Sequence, residues 1–275
     1  MSTVNPKPFF KPSDGKVIGI VGGMGPQSGL ALLNSVLNNT HAKSDQQHLS
    51  AILMSFPSII GDRTQFLEGN IDINPAYNIA KVIAKLEVAG AEIVGMSCNT
   101  SHSPQIYDVI VEELEKQCIR VKLVSMTVET CKYMTDNLPF VRKVGLMTTN
   151  GTYKSGVYRK LLESSGYTVI LPDFQFQDNV IHRMIYDLDI GIKSNPANAR
   201  EKVDFLIDKV LDFFKKNETE VIILGCTELS IVFTEKTVQG MILVDSTDVM
   251  AKALVREARE KIISSRRNLS VDLEI

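Results

Sequence analysis

No stretch of this 275-residue chain approaches the run of about 18 apolar residues that a membrane-crossing helix needs, so no membrane partner is expected. Nor does one charge predominate. With 30 Lys and Arg against 32 Asp and Glu the net charge is −2, and the composition carries no electrostatic footprint for nucleic acid. Histidine is scarce, and His41, His48, His102 and His182 are too scattered to suggest a metal cluster. The four cysteines, Cys98, Cys118, Cys131 and Cys226, include no C-x-x-C pair and are too few for a disulfide framework in a chain of this length. The opening residues carry Pro6, Pro8 and Pro12 but no apolar core, unlike a secretory signal; residues 1–14 read as a flexible extension, and a cytoplasmic setting is expected. The glycine-rich Gly22-Gly-Met-Gly25 fails as a dinucleotide loop, because Pro26, Gln27 and Ser28 stand where the third glycine is wanted. No cofactor and no metal are expected.

What is present is an ordinary globular composition, 44% hydrophobic and 23% charged, with enough chain for two domains. Apolar, β-branched runs near 17–21, 51–56, 91–97, 121–125, 143–148, 167–171, 220–224 and 241–244 read as short strands buried on both faces. Helical patterns separate them, several opening with a capping residue and proline: Asn74-Pro75, Ser103-Pro104 and Asn195-Pro196. Strict alternation of this kind predicts an α/β protein with mainly parallel sheets. The final Ser264 to Ile275 shows no clear periodicity and reads as a frayed tail.

The two halves resemble each other. Glu92 and Glu220 each begin an apolar run that ends in a cysteine six residues later, Cys98 and Cys226. Upstream, Gly19 in Val17-Ile-Gly-Ile-Val and Gly145 in Lys143-Val-Gly-Leu-Met precede those cysteines by 79 and 81 residues. The chain is therefore expected to form two pseudo-symmetric α/β lobes: 15–118 with a returning 241–275, and 119–240. Because ligands of open α/β sheets bind beyond the carboxyl ends of the strands, both thiols would face one cleft between the lobes.

Two acid/base groups on opposite sides of a carbon can remove a proton from one face and return one to the other, which inverts that carbon. A thiol of ordinary pKa, about 8.5, needs nearby donors or positive charge to act as the base. Asn99 and Thr100 after Cys98 lie between a strand end and a helix start, suited to stabilising an anion. Glu228, two residues after Cys226, cannot lower a thiol pKa as an anion and is assigned an orienting or hydrogen-bonding role. Cys118 and Cys131 fall in helical patterns and read as packing residues.

Six motifs in order, from Lys16 to the final helix, carry a family resemblance: Gly19-Ile-Val-Gly-Gly-Met-Gly-Pro26, Asp62-Arg63-Thr64, Cys98-Asn-Thr-Ser-His102, Ser125-Met126, Thr149-Asn-Gly-Thr152 with Ser155-Gly-Val-Tyr158, and Gly225-Cys-Thr-Glu228. Together they resemble the aspartate/glutamate racemase family, and within it the aspartate racemases. The resemblance implies a homodimeric, cofactor-independent enzyme without pyridoxal phosphate, its site lying between two lobes, acting on a small amino-acid substrate. It implies Cys98 and Cys226 as the catalytic bases and Arg63 as the ligand of a substrate carboxylate. Asn99, Thr100 and Thr227 would hold the α-carboxylate and amino group, with Met24, Gly25, Thr149 and Thr152 lining the pocket. The family's lysine after an Ile-Tyr pair maps onto Lys193 with a longer spacing from Ile185-Tyr186, or onto Ile190 without a gap; Lys193 is the basic residue of that stretch.

Other readings compete. His102, four residues after Cys98, invites a cysteine-histidine hydrolase, although the expected order of nucleophile, distant histidine and orienting residue is absent. A two-cysteine dicarboxylate isomerase of the maleate type would use the same thiols, and an amino-acid-binding or thiol redox protein could keep the fold without turnover.

Overall fold

The computed structural model describes residues 15–269, with side chains up to Arg259; the expected N-terminal extension and residues 270–275 lie outside the described residues. All eight expected strands form: β1 (Ile18–Gly22), β2 (Ala51–Ser55), β3 (Ile93–Met96), β4 (Lys122–Val124), β5 (Lys143–Thr148), β6 (Thr168–Ile170), β7 (Val221–Gly225) and, last in the chain, β9 (Met241–Asp245). The sequence pattern gave no sign of β8 (Thr237–Val238), a two-residue edge strand antiparallel to β9. It is too short for any period to register.

The first sheet runs in the order β2-β1-β3-β4 and the second β6-β5-β7-β9-β8, with every pairing parallel except β8–β9. Replacing β1, β2, β3 and β4 by β5, β6, β7 and β9 turns one order into the other, so the internal repeat of the sequence is a repeat of topology. In each sheet the strand order reverses between the first strand and the third, and that reversal is where an α/β sheet opens a ligand crevice. Cys98 follows β3 by two residues and Cys226 follows β7 directly.

The first lobe carries α1 (Pro26–Asn39), α2 (Arg63–Leu67), α3 (Ala76–Val88) and α4 (Pro104–Lys116). From β4 the chain enters α5 (Met126–Asn137), and the second lobe adds α6 (Asn150–Ser155), α7 (Val157–Ser164), α8 (Phe174–Phe176), α9 (Arg183–Tyr186), α10 (Ala199–Lys216) and α11 (Leu229–Val232), before α12 (Ser246–Leu269) ends the described chain. Of the proline-marked starts, Pro104 opens α4, and the Asn74 side chain accepts the Ala76 N–H at 3.0 Å at the head of α3. Asn195-Pro196 opens a 3-10 turn (Pro196–Asn198) that runs into α10.

Two helices exchange lobes. Helix α5 leaves the last strand of the first sheet yet buries Cys131 and Met134 among Val144, Tyr158, Val221 and Ile223 of the second lobe. Helix α12 leaves β9 of the second sheet and buries Met250, Leu254 and Ala258 against Ile18, Ile20 and Ile93 of the first. Its approach is close: a Cβ on Gly95 of β3 would stand 2.5 Å from Met250 Cε. Each fully buried leucine or methionine at this seam contributes about 1.5–3 kcal/mol, so the lobes are tied by their cores. The expected boundaries move accordingly. β4 belongs to the first sheet although it lies beyond residue 118, and β9 belongs to the second although it lies beyond 240. In the described part of the expected tail, the backbone continues α12 to Leu269.

Candidate active site

A narrow pocket lies between the carboxyl ends of the two sheets. The first lobe supplies Met24, Arg63, Cys98, Asn99 and Thr100; the second supplies Thr149, Tyr186, Lys193, Cys226, Thr227 and Glu228. Both cysteines are buried to the same extent, each 5% exposed. Gly25 and Thr152, expected to line the pocket, stand just behind it: the Gly25 N–H donates to Glu228 at 3.2 Å, and the Thr152 hydroxyl lies 3.0 Å from that of Thr100. Tyr186 lines it without a role expected for it, and Glu228, expected to orient or hydrogen-bond beside Cys226, lines it as well.

Around Cys98 the architecture is set by the turn after β2 and by His102. Asp62 caps α2, its carboxylate accepting the Thr64 and Gln65 N–H groups at 2.8 and 2.9 Å, so Arg63 is the first residue of a helix rather than part of a loop. The Arg63 guanidinium donates to the carbonyls of Gly61 (3.0 Å) and Met24 (2.8 Å), which leaves Nε buried without a hydrogen-bond partner. Burial opposes its charge, but Cys98, Tyr186 and Asp62 outweigh burial and hold its pKa above the ordinary value. The Met24 carbonyl reaches Arg63 from the glycine loop, where Gly23 has φ +87° and a Cβ would meet the backbone of Phe56 and Pro57 at 2.8 Å.

His102 does not face the thiol. Its Nε2 accepts the Met126 N–H at 3.1 Å, which leaves the proton on Nδ1, donated to the Cys98 carbonyl at 2.9 Å. Burial pulls its pKa down to about 4, so it is neutral at physiological pH. Both ring nitrogens are spent on backbone, and the hydrolase reading loses its base.

Cys226 has different company. Its thiol donates to Glu228 Oε2 at 3.0 Å, while Glu228 Oε1 is paired with the Lys193 ammonium. Burial, then the Glu228 charge, push the Cys226 thiol well above its ordinary range, against the pull of Lys193. Burial would raise Glu228 too, but the Lys193 charge and hydrogen bonds from Lys193, Cys226 and Gly25 win and bring it down to about 2. Lys193 in turn is held above its ordinary value by Glu228 despite burial.

Polar contacts close the cleft from both lobes. The hydroxyls of Thr100, Thr149 and Thr152 form a triangle with sides of 3.0, 3.0 and 3.3 Å. Asn99 accepts from Tyr158 at 2.5 Å and donates to Ser246 at 3.1 Å, which commits its carboxamide to holding the lobes in register. Thr227 reaches Ser28 at 2.8 Å, and the Tyr186 hydroxyl donates to Asp62 at 2.9 Å. The ring of His182 stacks on Tyr186 with centroids 4.5 Å apart. Among the described residues no group of three or more His, Cys, Asp or Glu side chains could hold a metal ion, and no helix is long and apolar enough to cross a membrane.

Two α/β lobes of matching topology with a polar cleft between their sheets make up the fold of the amino-acid racemases to which this structure is similar. The profile of the Asp/Glu/hydantoin racemase family matches residues 21–254, and the chain belongs to that family. It is similar to the broad-specificity amino-acid racemase RacX of Bacillus subtilis (strain 168), at 25% identity over 87% of this chain and 96% of that one. In structure it is similar to Picrophilus torridus aspartate racemase, with a TM-score of 0.71 and 28% identity over 88% of this chain and 94% of that one. Glutamate racemase from Francisella tularensis, solved with D-glutamate, shares the fold at a TM-score of 0.57 and 16% identity, with 92% of this chain and 83% of that one covered. The protein is an isomerase, an amino-acid racemase.

Proposed function

We propose that the enzyme interconverts L- and D-aspartate, with glutamate as a second substrate, and that Cys98 and Cys226 exchange protons with opposite faces of Cα. The observation that carries this reading is the presence of both thiols in one pocket, each at the switch point of its own sheet and equally buried. Inversion then needs no cofactor: one cysteine takes the Cα proton while the other delivers its own. Arg63 and Lys193 approach from opposite lobes, a disposition suited to a substrate with two carboxylates. A similar Picrophilus torridus protein is named as an aspartate racemase, which favours aspartate; the RacX relative is named as broad in specificity, which makes neutral amino acids the necessary control. The working unit is proposed to be a homodimer, to be checked by light scattering.

Chiral chromatography after incubation with each enantiomer of aspartate, glutamate and alanine tests this reading, using enzyme treated beforehand with chelator and a carbonyl reagent. Aspartate should racemise at the untreated rate, and alkylation of the thiols should stop it unless aspartate is present to protect them. Turnover of neutral amino acids without aspartate, or conversion of maleate to fumarate in its place, would contradict it. Loss of activity on chelation restored by a single metal would also contradict it.

A further inference from the structure

Two residues after its cysteine the first lobe has Thr100 and the second has Glu228. The Glu228 carboxylate is fully engaged. One oxygen takes the Cys226 thiol (3.0 Å) and lies 3.2 Å from the Thr227 hydroxyl; the other takes the Gly25 N–H and the Lys193 ammonium. It is buried, so it cannot turn away to water.

Resting on the two-cysteine reading above, we propose that Glu228 is a positioning residue that keeps the proton of the substrate-free enzyme on Cys226, leaving Cys98 as the base of the pair. A thiolate at Cys226 would stand against a buried carboxylate, whereas a thiol there donates to it. The titratable groups facing Cys226 are Glu228, Lys193 and Tyr186, and the ammonium of Lys193 is already paired with Glu228. The charged group facing Cys98 is the Arg63 guanidinium, of opposite sign to Glu228. Duplication has therefore produced two thiols alike in position and exposure but unlike in charge.

The proton count then gives turnover a direction. When the Cα–H bond faces Cys98, that proton passes to the Cys98 sulfur and the Cys226 proton passes to the opposite face of Cα. Product leaves behind a protonated Cys98 and a Cys226 thiolate, the form Glu228 disfavours. One proton must return from Cys98 to Cys226, through water, before the same enantiomer can react again. Because the equilibrium constant of a racemisation is one, kcat/KM is equal for the two enantiomers, and the asymmetry shows in the chemistry of the free enzyme.

Initial rates of iodoacetamide modification, read by peptide mass spectrometry, test this without substrate, so the result stands whether or not aspartate turns over. Cys98 in Cys226→Ala should react at least tenfold faster than Cys226 in Cys98→Ala. Adding Glu228→Gln to Cys98→Ala should speed Cys226 at least tenfold and shift its pH profile to lower pH. Adding it to Cys226→Ala should leave Cys98 within twofold. Equal rates in the two single variants would overturn the proposal, as would a Cys226 rate that Glu228→Gln leaves unchanged. If Glu228→Gln does not fold, the ratio between the single variants decides alone.

Discussion

The two lobes share a strand order and place a cysteine at the same point of it, yet the residues that follow each cysteine have diverged. After Cys98 come Asn99, Thr100, Ser101 and His102; after Cys226 come Thr227, Glu228, Leu229 and Ser230. His102 links the Cys98 carbonyl to the Met126 N–H, while Ser230 at the matching position instead donates to Asp245 at 2.8 Å. Thr100 joins a neutral hydroxyl triangle, and its counterpart Glu228 brings a charge directly to the thiol. Topology sets where a reactive group stands, and its neighbours set what charge it meets there: Glu228 beside Cys226, and Arg63 from the turn after β2 beside Cys98.

The most severe way to break the comparison is to remove one member of the pair. Cys98→Ala or Cys226→Ala should each lower racemisation by about a thousandfold or more, since acid and base are needed in the same event. Cys118→Ala and Cys131→Ala should stay close to the parent rate. Cys118 is exposed on the surface, and burial in the second-lobe core pushes the Cys131 thiol up to about 12. Substantial turnover by either site variant would mean that the lobes do not divide the chemistry between them.

Stability against pH should expose His102, the histidine that only the first lobe has four residues after its cysteine. Burial lowers His102 from 6.5 to about 4 in the folded chain, so between those values the unfolded chain binds more protons. Stability is then greatest above pH 6.5 and falls as pH drops toward 4, by about 3 kcal/mol from this group alone. Glu228 adds a loss of the same sign between its ordinary 4.5 and about 2. Urea titrations across pH 7 to 4 should show a shallower slope for His102→Asn than for the parent; identical slopes would remove His102 as the cause.

Arg63→Lys sharpens the charge comparison at the Cys98 side. A lysine cannot reproduce the fork that spans the Gly61 and Met24 carbonyls and still offers N–H groups to the pocket. Loss of a charge-assisted bond of about 1.5–3 kcal/mol should cost roughly one to two orders of magnitude in kcat/KM on aspartate. Lys193→Ala should penalise aspartate more than alanine; equal losses would place Lys193 on the α-carboxylate or in structure only. The smallest effect belongs to the seam. Tyr186→Phe removes the bond to Asp62 across the lobes and should lower stability by about 1 kcal/mol, seen as a fall in Tm of about 2–4 °C.

Much of this was legible in the sequence. Short apolar runs bounded by polar residues could be only strands or buried helix segments, and alternation with capped helices decided between them, so the eight parallel strands emerge with shifts of one or two residues. The lobe boundaries were not legible, because β4 and β9 precede helices that cross to the opposite lobe and no local pattern records which sheet a strand will join. At the site, the matched spacing of Cys98 and Cys226 placed both in the cleft. Tyr186 was visible only as half of an Ile-Tyr pair marking Lys193, since its partner Asp62 is 124 residues away. Glu228 was seen beside Cys226, but its pairing with Lys193 depends on the course of the chain over 187–199, which the sequence pattern leaves open.

The central claim is that each cysteine serves one face of Cα, and it is tested most directly in heavy water. Each aspartate enantiomer, incubated with enzyme and no added cofactor, should give at early times a product enantiomer that carries deuterium at Cα while the remaining substrate keeps its hydrogen, as proton NMR and chiral mass analysis would report. Deuterium entering the substrate pool as fast as the product, or aspartate that exchanges no Cα hydrogen at all, would contradict the account.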